Sequence, residues 1–316
     1  MNAIPSVVTV TLNPAIDQTV VIPRFAAGAV NRVTSLSQKP GGKGVNVASC
    51  LADQGYCVAV TGFLGRDNAA EFEELFQRKD IADHFVRIAG PTRMGIKISD
   101  PALNQTTDIN FPGAAVNETA LAALHQELAD LAELDHPWFV LGGSVPPGLD
   151  TGIYAELAVE LRRLGKHVAL DTSGEPFRRA LDSRPDVIKP NVHELEELLG
   201  RPLPARDAVL AAARDLQGRG IALVIVSMGE EGALFVSEEG AVLARPPRIT
   251  VRSTVGAGDA MVAGTVAAKL RNLSLAETAR LATAFSVVAL TLEDTSTCTL
   301  EAIVDAAKHV TVEALD

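Results

Sequence analysis

The stretch Ser253-Thr254-Val255-Gly256-Ala257-Gly258-Asp259-Ala260-Met261 places two glycines and one carboxylate at the start of an apolar run with helical spacing. Gly256 and Gly258 allow backbone angles and close approaches that a Cβ atom forbids. The first turn of the predicted helix offers unpaired N–H groups and a partial positive charge, which together form an anion site. A carboxylate beside such a site suits phosphoryl transfer, because Asp259 can accept the proton of an attacking hydroxyl.

The same segment also fits an ordinary turn in which Asp259 is the N-cap of the helix, a position where Asp is common. In the phosphoryl-transfer interpretation, the helix start stabilises the ionised carboxylate, so Asp259 is expected to be a modest base. Both interpretations stay open on this segment alone, since short glycine-rich motifs also occur by chance.

The bulk composition limits the classes of protein to which the chain can belong. It has 316 residues, of which 47% are hydrophobic and only 4% aromatic. This length suits one large α/β domain or two smaller ones, with a core of aliphatic side chains. The formal net charge is -11 and there is no basic run, which argues against nucleic acid as a partner.

Three cysteines, Cys50, Cys57 and Cys298, form no Cys-x-x-Cys pair. A disulfide framework or a zinc site is therefore not expected, and a reducing cytoplasm with buried, inert thiols is the simple prediction. The N-terminus shows no secretory signal pattern. The longest apolar stretch, near residues 281–292, is too short to span a bilayer and predicts a core helix, so no membrane partner is expected.

Strands and helices alternate along most of the chain, and Leu223-Val224-Ile225-Val226 is apolar on both faces of a strand. This pattern predicts an α/β fold with a buried, mainly parallel sheet, and residues 232–237 and 240–244 predict a hairpin. Short strands without intervening helices, at about 19–22, 30–37, 93–99 and 106–111, predict a small side sheet. We expect this sheet to come from insertions at approximately 12–37 and 91–113 and to cover the ligand-binding end of the main sheet.

A second glycine cluster, Gly41-Gly42-Lys43-Gly44-Val45-Asn46, also opens a predicted helix. It is not a P-loop, because Lys43 is followed by Gly and not by Ser or Thr. It predicts either backbone approach to a polar substrate, with Lys43 as a cation and Asn46 as a hydrogen-bonding group, or a plain turn with a solvated lysine. Two glycine-rich helix starts in one chain favour two ligands, one of them polyanionic.

Four further features are candidate site residues, each with a structural alternative. Asp17 can bind sugar hydroxyls or form a turn, and Arg93 can bind phosphate or lie solvated on the side sheet. Asn191 and Glu194 are three residues apart at a helix start, where they can orient waters on a metal-bound phosphate or cap the helix. The segment Ser227-Met228-Gly229-Glu230-Glu231-Gly232 follows the most apolar strand and can line a nucleotide pocket or turn the chain.

Taken together, these motifs resemble the PfkB (ribokinase-like) carbohydrate kinases over nearly the whole chain. Both glycine clusters match the signatures of that family. Between them, in the family order, stand Gly143-Ser144-Val145-Pro146-Pro147-Gly148, Asp171-Thr172-Ser173, Lys189-Pro190-Asn191-Val192-His193-Glu194-Leu195 and Ser227-Met228-Gly229-Glu230-Glu231-Gly232-Ala233. The start, Val8-Thr9-Val10-Thr11-Leu12-Asn13-Pro14-Ala15-Ile16-Asp17, is similar to the branch that acts on phosphosugars.

The resemblance implies a single ribokinase-like kinase domain over 1–316: a three-layer α/β/α sandwich with a mainly parallel central sheet and a small β-sheet lid. It implies ATP, Mg²⁺ and a phosphosugar as ligands, and a homodimer formed through the lid. The expected reaction is ATP-dependent conversion of fructose 1-phosphate to fructose 1,6-bisphosphate. Tagatose 6-phosphate, fructose 6-phosphate, an unphosphorylated sugar or a nucleoside are alternative acceptors, and a non-catalytic sugar-phosphate-binding regulator is a remote alternative.

The resemblance also assigns roles by position. Asp259 is the expected catalytic base, and Gly256, Ala257 and Gly258 form the expected anion hole. The phosphosugar ligands are expected to be Asp17, Gly42, Lys43, Asn46 and Arg93. The nucleotide ligands are expected to be Lys189, Asn191, Ser227, Gly229, Glu230, Gly232 and Thr254, with Asn191 and Glu194 near Mg²⁺ through water.

Two positions depart from the family pattern. Gly142 stands where Ser is common, and residues 293–298 lack the glycine-containing loop expected near the adenine.

Overall fold

A computed structural model of the chain describes residues 6–103, 105–252, 256–291 and 297–315. Within them, the strands are β1 (Ser6–Thr11), β2 (Ala15–Val21), β3 (Ser35–Gly41), β4 (Cys57–Gly65), β5 (Ile81–Ile88), β6 (Arg93–Asp100), β7 (Gln105–Asn110), β8 (Trp138–Gly142), β9 (His167–Asp171), β10 (Val187–Ile188), β11 (Leu223–Ser227), β12 (Ala233–Ser237), β13 (Gly240–Arg245) and β14 (Thr311–Leu315). The α-helices are α1 (Lys43–Ala52), α2 (Ala70–Lys79), α3 (Glu118–Glu133), α4 (Ile153–Arg163), α5 (Gly174–Ala180), α6 (Val192–Leu199), α7 (Arg206–Gly218), α8 (Ala257–Leu270), α9 (Leu275–Thr291) and α10 (Leu300–His309).

The main sheet has ten strands in the order β14-β13-β12-β11-β10-β9-β8-β1-β4-β5. The seven neighbouring strands β11, β10, β9, β8, β1, β4 and β5 pair in parallel. Strands β12, β13 and β14 extend the sheet beyond β11 in antiparallel pairing. The sheet is therefore mainly parallel, as its apolar strands predict.

One apolar core lies on each face of this sheet. Helices α1, α2, α8, α9 and α10 cover one face, and α3 to α7 cover the other. The three layers follow from strands that are apolar on both faces, since each face must be buried by helices. The predicted helix near 281–292 is the second half of α9, which is largely buried. No helix in the described part of the chain has the length and apolarity needed to cross a bilayer.

A second sheet of four strands, β3-β2-β6-β7, forms the lid. Strands β2, β6 and β7 lie inside the expected segments 12–37 and 91–113, but β3 was expected at 30–37 and instead runs from Ser35 to Gly41, past the end of the first segment. Val30 is 88% exposed, so its β-branched side chain has no core to pack against. The antiparallel register of β2 with β3 pairs Ala15 with Gly41 and carries the lid directly into the start of α1.

The predictions did not include two strands, β5 and β14. They are the two outer strands of the ten-stranded sheet, and each contains exposed residues among buried or half-buried ones without regular alternation. Edge strands bury only part of their surface, so polar residues are tolerated there and the hydrophobic signal is weak.

Candidate active site

Two glycine-rich helix starts meet at one end of the sheet. Helix α1 begins after Gly42, whose φ is 118°, and α8 begins after Gly256, whose φ is 79°. Both values lie in the region that favours glycine. The Asn46 Nδ2 atom of α1 donates a hydrogen bond of 2.7 Å to Asp259 Oδ2 of α8. The two motifs, more than 200 residues apart in sequence, thus form one site.

Asp259 is the third residue of α8 and not its N-cap, which is Gly256. The alternative in which Asp259 merely caps the helix is therefore not what the structure shows. The first intrahelical bond runs from Ala260 N to Gly256 O, at 2.8 Å. The backbone N–H groups of Ala257, Gly258 and Asp259 come before this first bond, so they have no partner within the helix. They are therefore available to bind an anion.

Burial raises the pKa of Asp259, and the neighbouring carboxylate of Asp171 raises it further, although Lys43, Lys189 and the hydrogen bond from Asn46 act in the opposite direction. Only 8% of the residue is exposed, beside the half-exposed Gly256 to Gly258. The expectation that the helix start stabilises the ionised carboxylate is wrong in direction, because desolvation outweighs the helix dipole. Asp259 is a stronger base than the sequence indicated.

Two lysines and a second carboxylate lie next to Asp259. Lys43 Nζ donates to Asp171 Oδ1 at 2.8 Å, and Lys189 Nζ lies 3.6 Å from the same oxygen. Burial disfavours the charged form of Lys43, but the carboxylates of Asp171 and Asp259 outweigh it and hold the pKa of Lys43 above its usual value. Burial likewise opposes the charge of Asp171, yet Lys189 and Lys43 hold its pKa below the usual range. Lys43 and Asp171 therefore hold each other in the charged form.

Two glycines, Gly142 and Gly258, leave room for these lysines. A Cβ atom on Gly258 would lie 3.2 Å from Lys189 Nζ, and one on Gly142 would lie 3.2 Å from Lys43 Cβ. The departure from the family pattern at Gly142 thus has a local explanation, because a serine there would crowd Lys43.

On the lid, Asp17 is half-buried, and burial raises its pKa while Lys39, Arg93 and Lys97 lower it. A Cβ atom at Gly41 or Gly95, on the neighbouring strands, would clash with its carboxylate. The guanidinium of Arg93 donates to Asn13 O, at 3.3 Å from both Nε and Nη2, and to Phe111 O at 3.1 Å from Nη1. Arg93 is thus anchored to the backbone at the base of the lid.

Asn191 and Glu194 form a complete capping box at the start of α6. Asn191 Oδ1 accepts from Glu194 N, and Glu194 Oε2 accepts from Asn191 N, both at 2.8 Å. The capping interpretation is correct for the single side-chain oxygen of Asn191 and for one of the two carboxylate oxygens of Glu194. Glu194 is also close enough to Lys43 to raise the pKa of that lysine, after burial and the larger effects of Asp171 and Asp259.

A cleft of about 510 Å³ lies beside this capping box, at the ends of β10 and β11. Its walls include Asn191, Ser227 and Gly229 together with apolar side chains such as Met228 and Val209. Glu230 is exposed on the turn after β11. Gly232 is buried with φ at 100°, and a Cβ atom there would clash with Ala244 O, which explains this glycine through backbone packing alone. Thr254 lies outside the described residues, as does most of the segment 293–298.

The comparisons with known proteins agree with this geometry. The model of the pfkB family of carbohydrate kinases matches residues 10–302. This chain belongs to the pfkB family. The 1-phosphofructokinase of Rhodobacter capsulatus is 52% identical over 90% of this chain and 90% of its own length, and that of Xanthomonas campestris is 47% identical over 98% of both. The tetrameric inhibited form of Escherichia coli phosphofructokinase-2 superposes with a TM-score of 0.86 at 28% identity, covering 96% of this chain and 98% of the other.

The expected ribokinase-like sandwich with a separate lid sheet is therefore confirmed, and the chain is a carbohydrate kinase that uses ATP. Sequence reasoning gave no role to one residue of this pfkB-family site, Asp171. The available signal was its position as the last residue of a buried parallel strand, at the edge where α/β sheets bind ligands. Among the described residues, no group of three or more His, Cys, Asp or Glu side chains forms a metal site.

Proposed function

We propose that the chain transfers the γ-phosphoryl group of ATP to fructose 1-phosphate and forms fructose 1,6-bisphosphate. The observation that carries the proposal is the Asn46–Asp259 hydrogen bond of 2.7 Å, which joins the two glycine-rich helix starts around one buried carboxylate. Asp259 and the amides of Ala257 and Gly258 share one helical turn, so a hydroxyl bound by the base faces a phosphate bound by the amides.

The chemistry follows from these groups. Asp259 accepts the proton of the acceptor hydroxyl as that oxygen attacks the γ-phosphorus, and its raised pKa suits this proton transfer. The α8 amides and the charged lysines offset the negative charge spread over the transferred phosphoryl oxygens, where one well-placed donor is worth about 3–4 kcal/mol. Burial of the site excludes bulk water, which would otherwise compete with the sugar hydroxyl.

Mg²⁺ fits the donors present only when the nucleotide supplies most of its ligands. Mg²⁺ commonly binds one or two carboxylates together with phosphate oxygens and waters. Asn191, which lines the cleft after β10, and its capping partner Glu194 would hold it through water. When bound, the ion neutralises phosphate charge and orients the phosphates of ATP.

The acceptor assignment has two supports. Lys43 and Arg93 provide cations for an acceptor that already carries a phosphate, and Asp17, Gly42 and Asn46 lie on the same side of the site. The curated relatives with 47–52% identity are 1-phosphofructokinases. Fructose 6-phosphate is the second candidate, because the chain shares its fold with phosphofructokinase-2. The proposed nucleotide-binding residues are Lys189, Ser227, Gly229, the exposed Glu230 and Thr254.

A coupled ADP-release assay with ATP, Mg²⁺ and a panel of acceptors tests the proposal. The panel contains fructose 1-phosphate, fructose 6-phosphate, tagatose 6-phosphate, fructose and ribose. We expect the highest kcat/KM with fructose 1-phosphate and a product with two phosphate monoesters in its ³¹P spectrum. A higher kcat/KM with either 6-phosphate would reassign the acceptor, and binding without turnover on every sugar would support a regulator.

We further propose that the chain is one kinase domain that forms a homodimer through its lid. Seven large hydrophobic side chains in the lid region are exposed, and these are Val30, Val33, Leu36, Met94, Leu103, Ile109 and Phe111. Leu36, Met94 and Ile109 lie on the same face of the lid sheet as Val20 and Ile96, by the pairing register. An apolar face of this kind is typical of an interface with another copy.

A further inference from the structure

Asp171 is the most buried charged residue of the site, at 2% exposure, and the mechanism above gives it no step. Its Oδ1 atom accepts from Lys43 Nζ at 2.8 Å and lies 3.6 Å from Lys189 Nζ. Its Oδ2 atom is also buried and has no hydrogen-bond partner within the described part of the chain. One carboxylate oxygen thus contacts two lysines from distant parts of the sequence.

These lysines come from opposite halves of the site. Lys43 is the first residue of α1, whose glycine-rich start is on the acceptor side. Lys189 follows β10 on the nucleotide side, and its Nζ lies against the start of α8 at Gly258. Asp171, at the carboxyl end of β9, is therefore a fixed point between the two halves.

The charges of the site balance only when Asp171 is present. Two lysines, Lys43 and Lys189, stand against two aspartates, Asp171 and Asp259, so the formal charges of the four side chains sum to zero. Buried charges are costly unless they are paired. Loss of the Asp171 charge would leave two ammonium groups competing for Asp259, the carboxylate that must remain free for the acceptor hydroxyl.

We propose that Asp171 is a positioning residue that holds Lys43 at the acceptor and Lys189 at the transferred phosphate, and so couples the two halves of the site. The inference rests on the proposed function. Displacement of a charged group by about 1 Å can cost 100-fold in rate, so a shared anchor for both lysines has a large effect on turnover.

Asp171 also acts on the base through space. The titratable groups that act on Asp259 or feel its charge are Lys43 and Cys50 from α1, Asp171 from β9 and Lys189 after β10. Burial is the largest cause of the raised pKa of Asp259, and the Asp171 charge adds to it. Removal of that charge lowers the pKa of Asp259, so the acid limb of the rate profile moves to lower pH.

The test is Asp171→Asn in the full chain, with kcat and KM measured against pH for ATP and fructose 1-phosphate. We expect kcat to fall by roughly 100-fold, both KM values to rise, and the acid limb of kcat/KM to move to lower pH. A purely structural role would lower activity without moving the acid limb. A folded variant with an unmoved limb and wild-type KM values overturns the proposal.

Calorimetric titration of ATP and of fructose 1-phosphate into each variant gives a readout that needs no turnover. We expect Asp171→Asn to weaken both ligands, whereas weakening of one alone would show that Asp171 does not couple the halves. If the wild-type chain binds both ligands without turnover, the proposed function is rejected. The comparison of ligand binding between the wild type and Asp171→Asn still tests the role of Asp171.

Two further variants complete the comparison. Asp171→Glu keeps the charge but lengthens the side chain, so its acid limb should match the wild type while both KM values rise; unchanged KM values would contradict the anchoring role, even if Asp171→Asn fails to fold. Asp53→Asn is the matched control, because Asp53 is 8% exposed and paired with Lys79 away from Asp259. Its acid limb should stay at the wild-type pH.

Discussion

At the scale of single residues, the proposed base Asp259 is the group on which we expect turnover to depend. Its carboxylate must be ionised to accept a proton, yet burial favours its neutral form. We expect Asp259→Asn to lower kcat by about 10²–10⁴-fold. Binding of fructose 1-phosphate, measured by calorimetry, should persist, because Asn46 and the lysines are retained. Near-normal turnover would reject Asp259 as the base.

The same substitution should raise the melting temperature at neutral pH. A carboxylate whose folded-state pKa is raised contributes stability when protonated, and this contribution is lost as the pH rises through the folded pKa. Asparagine resembles the neutral form and carries no buried charge. Scanning calorimetry of both proteins at pH 7 checks this expectation, and a clear decrease in melting temperature would show that the ionised form is not disfavoured.

If Asp259 is the base, its raised pKa is expected to set the acid limb of the pH dependence of the wild-type enzyme. Activity should fall as the pH decreases through the pKa of Asp259, at a pH above the ordinary aspartate value near 3.9. A profile of log kcat/KM against pH, with a coupling system verified at each pH, locates this limb. An acid limb at or below the ordinary value would contradict the dominance of burial.

At the scale of elements, the packing of α8 on α9 holds the catalytic helix in place. Gly264 lies at this contact, where a Cβ atom would come within 2.8 Å of Ala282 Cα and 2.9 Å of the Phe285 ring. We expect Gly264→Ala to lower the free energy of unfolding by about 1–3 kcal/mol, because the helices must move apart. Denaturant unfolding measures this change.

A matched control for that substitution lies at the end of α7. Gly218 is exposed, and a Cβ atom there would have no neighbour within 4 Å. Gly218→Ala should be neutral or stabilising by up to about 1 kcal/mol, since alanine restricts the unfolded chain. An unfolding free energy of Gly264→Ala that is unchanged or raised, like that of Gly218→Ala, would show that the α8–α9 contact accommodates the added Cβ atom.

At the scale of the whole molecule, the lid has two faces with different side chains. One face carries Asp17 and the glycines that make room for it, and the other exposes Leu36, Met94 and Ile109. The second face provides the apolar area that a partner lid would cover. Activity and assembly are therefore expected to depend on the same small sheet.

Leu36→Glu should shift the protein from dimer to monomer in analytical ultracentrifugation, because a charge in an apolar interface is costly to bury. Leu36 is 59% exposed in one chain, so its folding should be unaffected. Leu164→Glu, at a residue 52% exposed at the end of α4, is the control and should leave the assembly unchanged. A wild-type monomer, or a Leu36→Glu dimer, would reject the lid interface.

The sequence determined the fold class, most of the elements and both glycine-rich helix starts, because spacing and glycine positions are local properties of the chain. It also predicted that Asp259, Lys43 and Asn46 serve one site. The strands β5 and β14 and the start of β3 were not predicted, since β5 and β14 are edge strands and β3 is mostly exposed, so that their hydrophobic patterns are weak. Only the tertiary structure decided the direction of the Asp259 pKa and the pairing of Asp171 with two lysines, because desolvation and charge pairing depend on which distant elements pack together.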